Sequence, residues 1–102
     1  MTTGEIEVRE NEAERQYEVE LEGQLALLAY ERRGDRIEMM HTEVPDAIEG
    51  RGVGSALART ALNDARANGL TVVPSCPFVS AYIKRHPAYL DIVDAAYRRR
   101  LE

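Results

Sequence analysis

The sequence predicts an α/β (α+β) fold in which a mostly antiparallel sheet leads into one β-α-β unit, in the order β-β-β-β-α-β-α-α. Three observations carry this. Between Tyr17 and Val44, apolar and charged residues alternate in runs separated by short turns. Between Val44 and Val53, a proline and alternating glycines separate a strand pattern from a helical one. A fully apolar stretch, Leu70 to Val73, then follows the helix directly, a link that favours a right-handed crossover and parallel pairing.

The elements follow in order. Ile6 and Val8 alternate with charged residues and predict a short first strand, with Asn11 to Arg15 as a turn. Tyr17, Val19 and Leu21 alternate with Glu18, Glu20 and Glu22, the pattern of a strand with one wet face. After Glu22-Gly23, Leu25 to Tyr30 is apolar on both faces and predicts a central strand. Arg33-Gly34-Asp35 is a hairpin turn between strands. The next strand spans Arg36 to Val44. Strict alternation puts Ile37, Met39, His41 and Glu43 on one face and Glu38, Met40, Thr42 and Val44 on the other, and Pro45 stops it.

The helix after the glycines gathers Val53, Leu57, Ala58, Ala61, Leu62 and Ala65 on one side, with Arg59, Asn63 and Arg66 opposite. Asn68-Gly69 closes it. Pro74, Cys76 and Pro77 follow the apolar strand. Phe78 to Arg85 predicts a short helix that Pro87 ends, and Leu90, Val93, Tyr97 and Leu101 predict a final one.

A chain of 102 residues suits one domain, residues 1–102, with one core. A hydrophobic fraction of 44% argues against disorder, and a net charge of −5 argues against general nucleic-acid binding. The carboxylates from Glu5 to Glu22 read as a solvated sheet face and hairpin. The lone Cys76 allows no internal disulfide and fits a reducing, cytoplasmic setting. No apolar run is long enough to span a membrane, and no signal-peptide core precedes the strands. No metal-ligand pattern is present.

The stretch Glu49-Gly50-Arg51-Gly52-Val53-Gly54-Ser55 is the most informative. It joins a strand to a helix, where unpaired N–H groups and the positive end of the dipole attract anions. Glycine adds positive φ and a close approach to the ligand. A Walker loop would need a lysine after the glycines. A dinucleotide fingerprint would need Gly-x-Gly-x-x-Gly after a parallel strand, whereas the spacing here is Gly50-x-Gly52-x-Gly54 after antiparallel ones.

The arrangement resembles the GNAT superfamily of acyl-CoA-dependent N-acetyltransferases, whose loop of pattern Gln/Arg-x-x-Gly-x-Gly/Ala holds the pyrophosphate of coenzyme A on backbone N–H groups. Glu49 stands where that family has Gln or Arg, and Arg51 offers a cation instead. The runs His41 to Pro45, Gly50 to Gly54, Val73 to Phe78 and Lys84 to Tyr89, in that order, are similar to those of short single-domain acetyltransferase-like proteins. The resemblance covers about Gly23 to Asp91. It implies a GNAT-like fold, with the sheet splayed between the fourth and fifth strands to admit the pantetheine arm of acetyl-CoA. It also implies that Thr42, Glu43 and Val44 pair with that arm through their main chain, and that Gly50, Arg51, Gly52, Val53, Gly54 and Ser55 hold the pyrophosphate.

The candidate chemistry lies around that gap. Cys76 follows the fifth strand at a predicted helix N-terminus, a position that favours a thiolate. It is a covalent nucleophile, a contact to the acetyl group, or a small packed residue. His41 and Glu43 share a face near the loop, as bases for an incoming amine or as a polar surface contact. Many GNAT enzymes protonate the departing thiolate with a tyrosine on the helix after the fifth strand. Alignment on Cys76 puts Ile83 there, with Tyr82 one residue away, and Tyr82 and Tyr89 also suit core packing. Lys84, Arg85 and His86 complement the helix dipole or contact the 3′-phosphate of coenzyme A.

The leading expectation is an N-acetyltransferase that uses acetyl-CoA and an amine acceptor, small molecule or protein, without nucleic-acid or membrane partners, as monomer or homodimer. The alternative is an acyl-CoA-binding module with little or no catalysis. Only hairpin turns join the early strands, so no helices shape an acceptor pocket and that side is open. An open site suits a large substrate or completion by a second subunit. A cysteine hydrolase would need a Cys–His–acid arrangement that the sequence does not define.

Overall fold

The computed structural model describes residues 6–102; Glu5 of the acidic run lies outside them. Five strands form one sheet in the order β1-β2-β3-β4-β5. They are β1 (Arg9–Asn11), β2 (Gln16–Leu21), β3 (Gln24–Arg33), β4 (Arg36–Glu43) and β5 (Thr71–Pro74). Each neighbouring pair is antiparallel except β4 and β5, which run parallel. Helix α1 (Val53–Ala67) makes the crossover, α2 (Pro77–Arg85) follows β5, and α3 (Ala95–Leu101) ends the chain. No helix among the described residues is long and apolar enough to cross a membrane.

The helices cover one face of the sheet. Val53, Leu57, Ala58, Ala61, Leu62 and Ala65 of α1 are all buried, as their spacing predicts. They meet Tyr17, Val19, Ala26, Leu28, Tyr30, Ile37 and Met39 from the strands. The Tyr17 hydroxyl donates to Asp64 at 2.9 Å and ties β2 to α1. Left-handed Gly69 closes α1: its N–H reaches the carbonyl of Arg66 at 3.2 Å, and Leu70 N–H that of Ala65 at 2.9 Å. This pair of bonds starts β5 immediately beneath the helix.

Among the described residues, no helix covers the opposite face. Leu25 is 44% exposed and Met40 39% exposed there. Leu25 to Tyr30 is thus central in the sheet, but only alternate residues are buried. The same face holds a buried carboxylate, Glu18. Hydrogen bonds from Gln16 Nε2 (2.7 Å) and Asn11 Nδ2 (2.9 Å), then Arg9 Nε (3.2 Å), hold its carboxyl below the ordinary value of 4.5. A lowered folded-state value means that the unfolded chain takes up the proton first. The stability from this group is complete above pH 4.5 and drains as pH falls through the lowered value. Urea unfolding between about pH 6 and pH 3 should show this decline, flattened in Glu18→Gln. Equal pH slopes in the two proteins would contradict the assignment.

Three expectations need correction. The first paired strand is Arg9–Asn11 rather than Ile6 to Val8: the turn lies where expected, with Arg15, at φ 54°, donating its N–H to the Glu12 carbonyl, and the residues directly before it are the ones that pair with β2. The apolar spacing from Leu90 to Leu101 is not one helix. A 3₁₀ segment spans Pro87–Ile92, Val93 forms a bridge with Val72, and Asp94 caps α3 by accepting from Ala96 N–H at 3.1 Å. Most consequentially, the faces of β4 change halfway. Tyr30 pairs with Met39, but Ala29 pairs with His41, so Met40 is an extra residue, a β-bulge. Thr42, opposite Leu28, joins Ile37 and Met39 on the helix-covered face. His41 and Glu43, opposite Ala29 and Leu27, turn to the open face.

Candidate functional site

The site forms where β4 and β5 part. Their pairing runs from Arg36 and Thr71 to Met39 and Pro74. The last link is Cys76 N–H to the Met39 carbonyl at 2.9 Å. β4 continues to Glu43, whereas the chain beyond β5 turns into α2. Among the described residues, no strand lies beside the edge of β4 that faced β5 after the Met40 bulge. A strand edge of this kind can pair with an extended polar arm.

Above this edge the chain passes through a 3₁₀ turn, Asp46–Ile48, that buries Ile48. It then enters the glycine loop. Gly50 and Gly52 both sit at φ 80°, a backbone that other residues rarely adopt. Gly52 is the N-cap of α1, and no side chain caps that end. Ala56 N–H bonds to the Gly52 carbonyl at 3.0 Å, so the helix ladder begins there. No acceptor among the described residues takes the N–H groups of Gly50 to Ser55. Gly50, Arg51 and Gly52 are exposed. A run of open main-chain donors at a helix start suits an anionic group such as a pyrophosphate.

These features line a cleft of about 370 Å³, bounded by Thr42, Val44, Glu49, Gly50, Gly52, Val53, Gly54, Ser55 and Phe78. Phe78, on the first turn of α2, is 37% exposed and lies against Gly54; a Cβ there would stand 2.7 Å from its ring. Gly54 thus lets α1 and α2 meet closely at the cleft wall. Phe78 is absent from the sequence-derived set, since a lone aromatic on a short helix reads as core.

Cys76 is the N-cap of α2 and 3% exposed. Its Sγ lies 3.3 Å from Thr42 Oγ1, so the two side chains bridge the start of the gap. The bulge makes this meeting possible, because without it Thr42 would face away. His41 Nε2 and Glu43 Oε2 are 2.5 Å apart on the open face, both exposed. The structure therefore brings Thr42 and Cys76 together on the covered side and His41 and Glu43 together on the open side. Arg51 pairs with Glu22 of the β2–β3 turn at 3.1 Å, an exposed pair of small energetic weight.

The remaining sequence-derived residues lie elsewhere. Tyr82 is buried on α2, stacked on His86 with ring centroids 4.2 Å apart, and does not line the cleft. Tyr89 donates to Asn63 Oδ1 at 2.8 Å. Lys84 and His86 are exposed at the far end of α2. His86 lines a second, larger groove between α1 and α2, together with Arg59, Arg66, Arg85 and both tyrosines.

A sheet that parts beside an uncapped, glycine-rich helix start defines a class, and sequence comparison gives it a name. The profile of the GCN5-related N-acetyl-transferase family matches residues 16–92, and the chain belongs to that family. The match includes the cleft, Cys76 and both faces of β4. The chain is similar to Protein NATD1 of Mus musculus, at 39% identity over 87 residues, covering 82% of this chain and 79% of that one. Protein NATD1 of Homo sapiens is 39% identical over 85 residues, covering 80% and 75%. Among solved structures, the NMR solution structure of a GCN5-like protein from Staphylococcus aureus superimposes with a TM-score of 0.66. It is 27% identical and covers 92% of this chain and 91% of its own.

Proposed function

We propose that this chain transfers an acetyl group from acetyl-CoA to an amine that enters from the uncovered face of the sheet. The observation that carries the reading is the run of unengaged N–H groups from Gly50 to Ser55, directly above the unpaired end of β4. The loop holds the pyrophosphate. The main chain of Thr42, Glu43 and Val44 lies along the pantetheine arm. Bound there, the thioester supplies an activated acetyl group, which an amine takes with release of the thiol.

The residues of the chain divide the remaining work by face. Thr42 and Cys76, on the covered side of the gap, contact the acetyl group. His41, on the open side and held by Glu43, accepts the proton that the amine loses. The uncovered face suits a polypeptide or polyamine acceptor, since no helix among the described residues walls off a small pocket. The chain acts as a monomer or homodimer in a reducing, cytoplasmic setting.

The test is acetylation of a panel of amines, from small polyamines to lysine peptides, followed by product mass. The expected result is turnover of at least one acceptor. His41→Ala should lower kcat on the order of a hundredfold and leave acetyl-CoA binding intact. Tight acetyl-CoA binding with no turnover on any amine would instead support the binding-module alternative.

A further inference from the structure

The uncovered face of the sheet is not uniformly polar. Leu25, Leu27 and Ala29 of β3 alternate with the buried Ala26, Leu28 and Tyr30, so they form one apolar stripe along the middle strand. Leu25 is the most exposed large apolar side chain among the described residues. Carboxylates flank the stripe. Glu20 and Glu18 of β2 stand opposite Leu25 and Leu27, and Glu43 of β4 stands on the other side of Leu27. Glu31 ends the stripe, directly across from Glu38. Arg9 neutralises Glu18, and Glu43 meets His41. Glu20, Glu31 and Glu38 have no ion-pair partner among the described residues. Glu38 accepts from the Ser75 hydroxyl at 2.6 Å. A like-charge pair such as Glu31 and Glu38 costs stability until a cation joins it.

The dimensions select the occupant. Neighbouring strands lie about 4.8 Å apart, so side chains on β2 and β4 stand about 10 Å apart across the stripe, close to the diameter of one α-helix. From Leu25 to Glu31 the face runs about 20 Å, the length of about 13 helical residues. An extended peptide does not suit it. The main-chain groups of β3 lie in the plane of the sheet, toward β2 and β4, and offer nothing out of the face. A strand laid on the stripe would bury its own N–H and C=O groups without partners. A helix arrives with its main chain already paired. A second sheet needs an apolar face several strands wide, whereas this stripe is one strand wide.

We infer that this face is a docking surface for a cationic amphipathic α-helix of a partner protein. Its apolar side chains sit on Leu25, Leu27 and Ala29, and its lysines or arginines reach Glu20 on one flank and Glu31 and Glu38 on the other. The docking does not depend on the acetyl-CoA reading, because none of these contacts involves the glycine loop. Joined to that reading, it puts the partner's cationic side chains beside His41 and Glu43, on the acceptor side of the gap.

The experiment is a fluorescence-anisotropy titration of the intact chain, without acetyl-CoA. The probe is a labelled peptide of about 14 residues with leucines at i, i+3, i+4 and i+7 spacing and lysines on both flanks. Two further peptides are compared with it: one of the same composition in scrambled order, and one with glutamate in place of each lysine. The amphipathic cationic peptide should bind about tenfold tighter or more than the scrambled one, and should gain helix by circular dichroism as it binds. The glutamate peptide should not bind, a result that needs no change to the protein. Leu25→Gln should weaken the cationic peptide about tenfold. E20Q/E31Q should weaken it and flatten its loss of affinity with salt. Leu25 and Glu20 are exposed and Glu31 is half-buried, so both variants should melt like the parent. Equal binding of the cationic and scrambled peptides, binding of the glutamate peptide, or full affinity in Leu25→Gln would overturn the inference. So would sedimentation that shows the chain alone as a dimer dissociated by Leu25→Gln, since a second copy would then be the occupant. Acetyl-CoA titrated into the same samples reads the loop separately, and a response to it without peptide binding would overturn this inference alone.

Discussion

Replacing Gly52 with glutamate is expected to abolish the thermal stabilisation that acetyl-CoA should give the parent chain. A ligand bound only to the folded state at a hundredfold excess over its Kd stabilises by about 2.7 kcal/mol. For a chain of this size that corresponds to a rise in Tm of roughly 10–20 °C. The Gly52 N–H belongs to the open donors at the start of α1, and the residue is exposed in the cleft. A carboxylate at this position meets the pyrophosphate as a like charge. It also occupies a backbone at φ 80°, which costs about 1–2 kcal/mol for an ordinary side chain and lowers the ligand-free Tm. Gly52→Asn separates the two effects, since asparagine tolerates the left-handed region and carries no charge. It should keep most of the shift. A shift undiminished in Gly52→Glu would show that the loop is not the site.

Removing the Cys76 thiol has the largest expected effect on rate. Cys76→Ala should reduce turnover on the order of a hundred- to a thousandfold, as expected for loss of a group that touches the reacting atoms. The thiol is almost fully buried at the mouth of the gap, and Thr42 Oγ1 is its hydrogen-bond partner. Intact mass after exposure to acetyl-CoA, without an amine, separates the two ways it can act. An added acetyl group on Cys76 marks a covalent relay: an S–acetyl bond forms, the donor thioester bond breaks, and the thiol proton leaves with coenzyme A. An unmodified thiol, with turnover lost in the variant, marks a contact role. Turnover unchanged in Cys76→Ala would mean that Cys76 is a small packed residue at the end of β5 with no part in the reaction.

Local rules read most of this fold from the sequence, and they failed where a long-range contact overruled them. The buried face of α1 follows from the spacing of six apolar residues, and its end from Asn68-Gly69. The glycine loop was legible because its residues have few other uses at a strand–helix junction. The bulge at Met40 left no local mark, since the residues around it carry no glycine or proline. Strict alternation therefore put His41 and Glu43 on the face of Met39 and turned Thr42 away from Cys76. The final helix was overextended because Val93 is apolar for another reason: it bridges to Val72, beside Asp94 N–H on the Val72 carbonyl at 2.8 Å. Arg59 and Arg85 looked like ordinary solvated positions, since their shared groove arises from packing α1 against α2.

The most direct test of the central claim is an amide NMR titration of the chain with acetyl-CoA. The account predicts that the largest shifts fall on the N–H groups of residues 50–55 and on the unpaired edge of β4 from Met40 to Val44. Shifts absent from the glycine loop, or centred on the open sheet face alone, would contradict it.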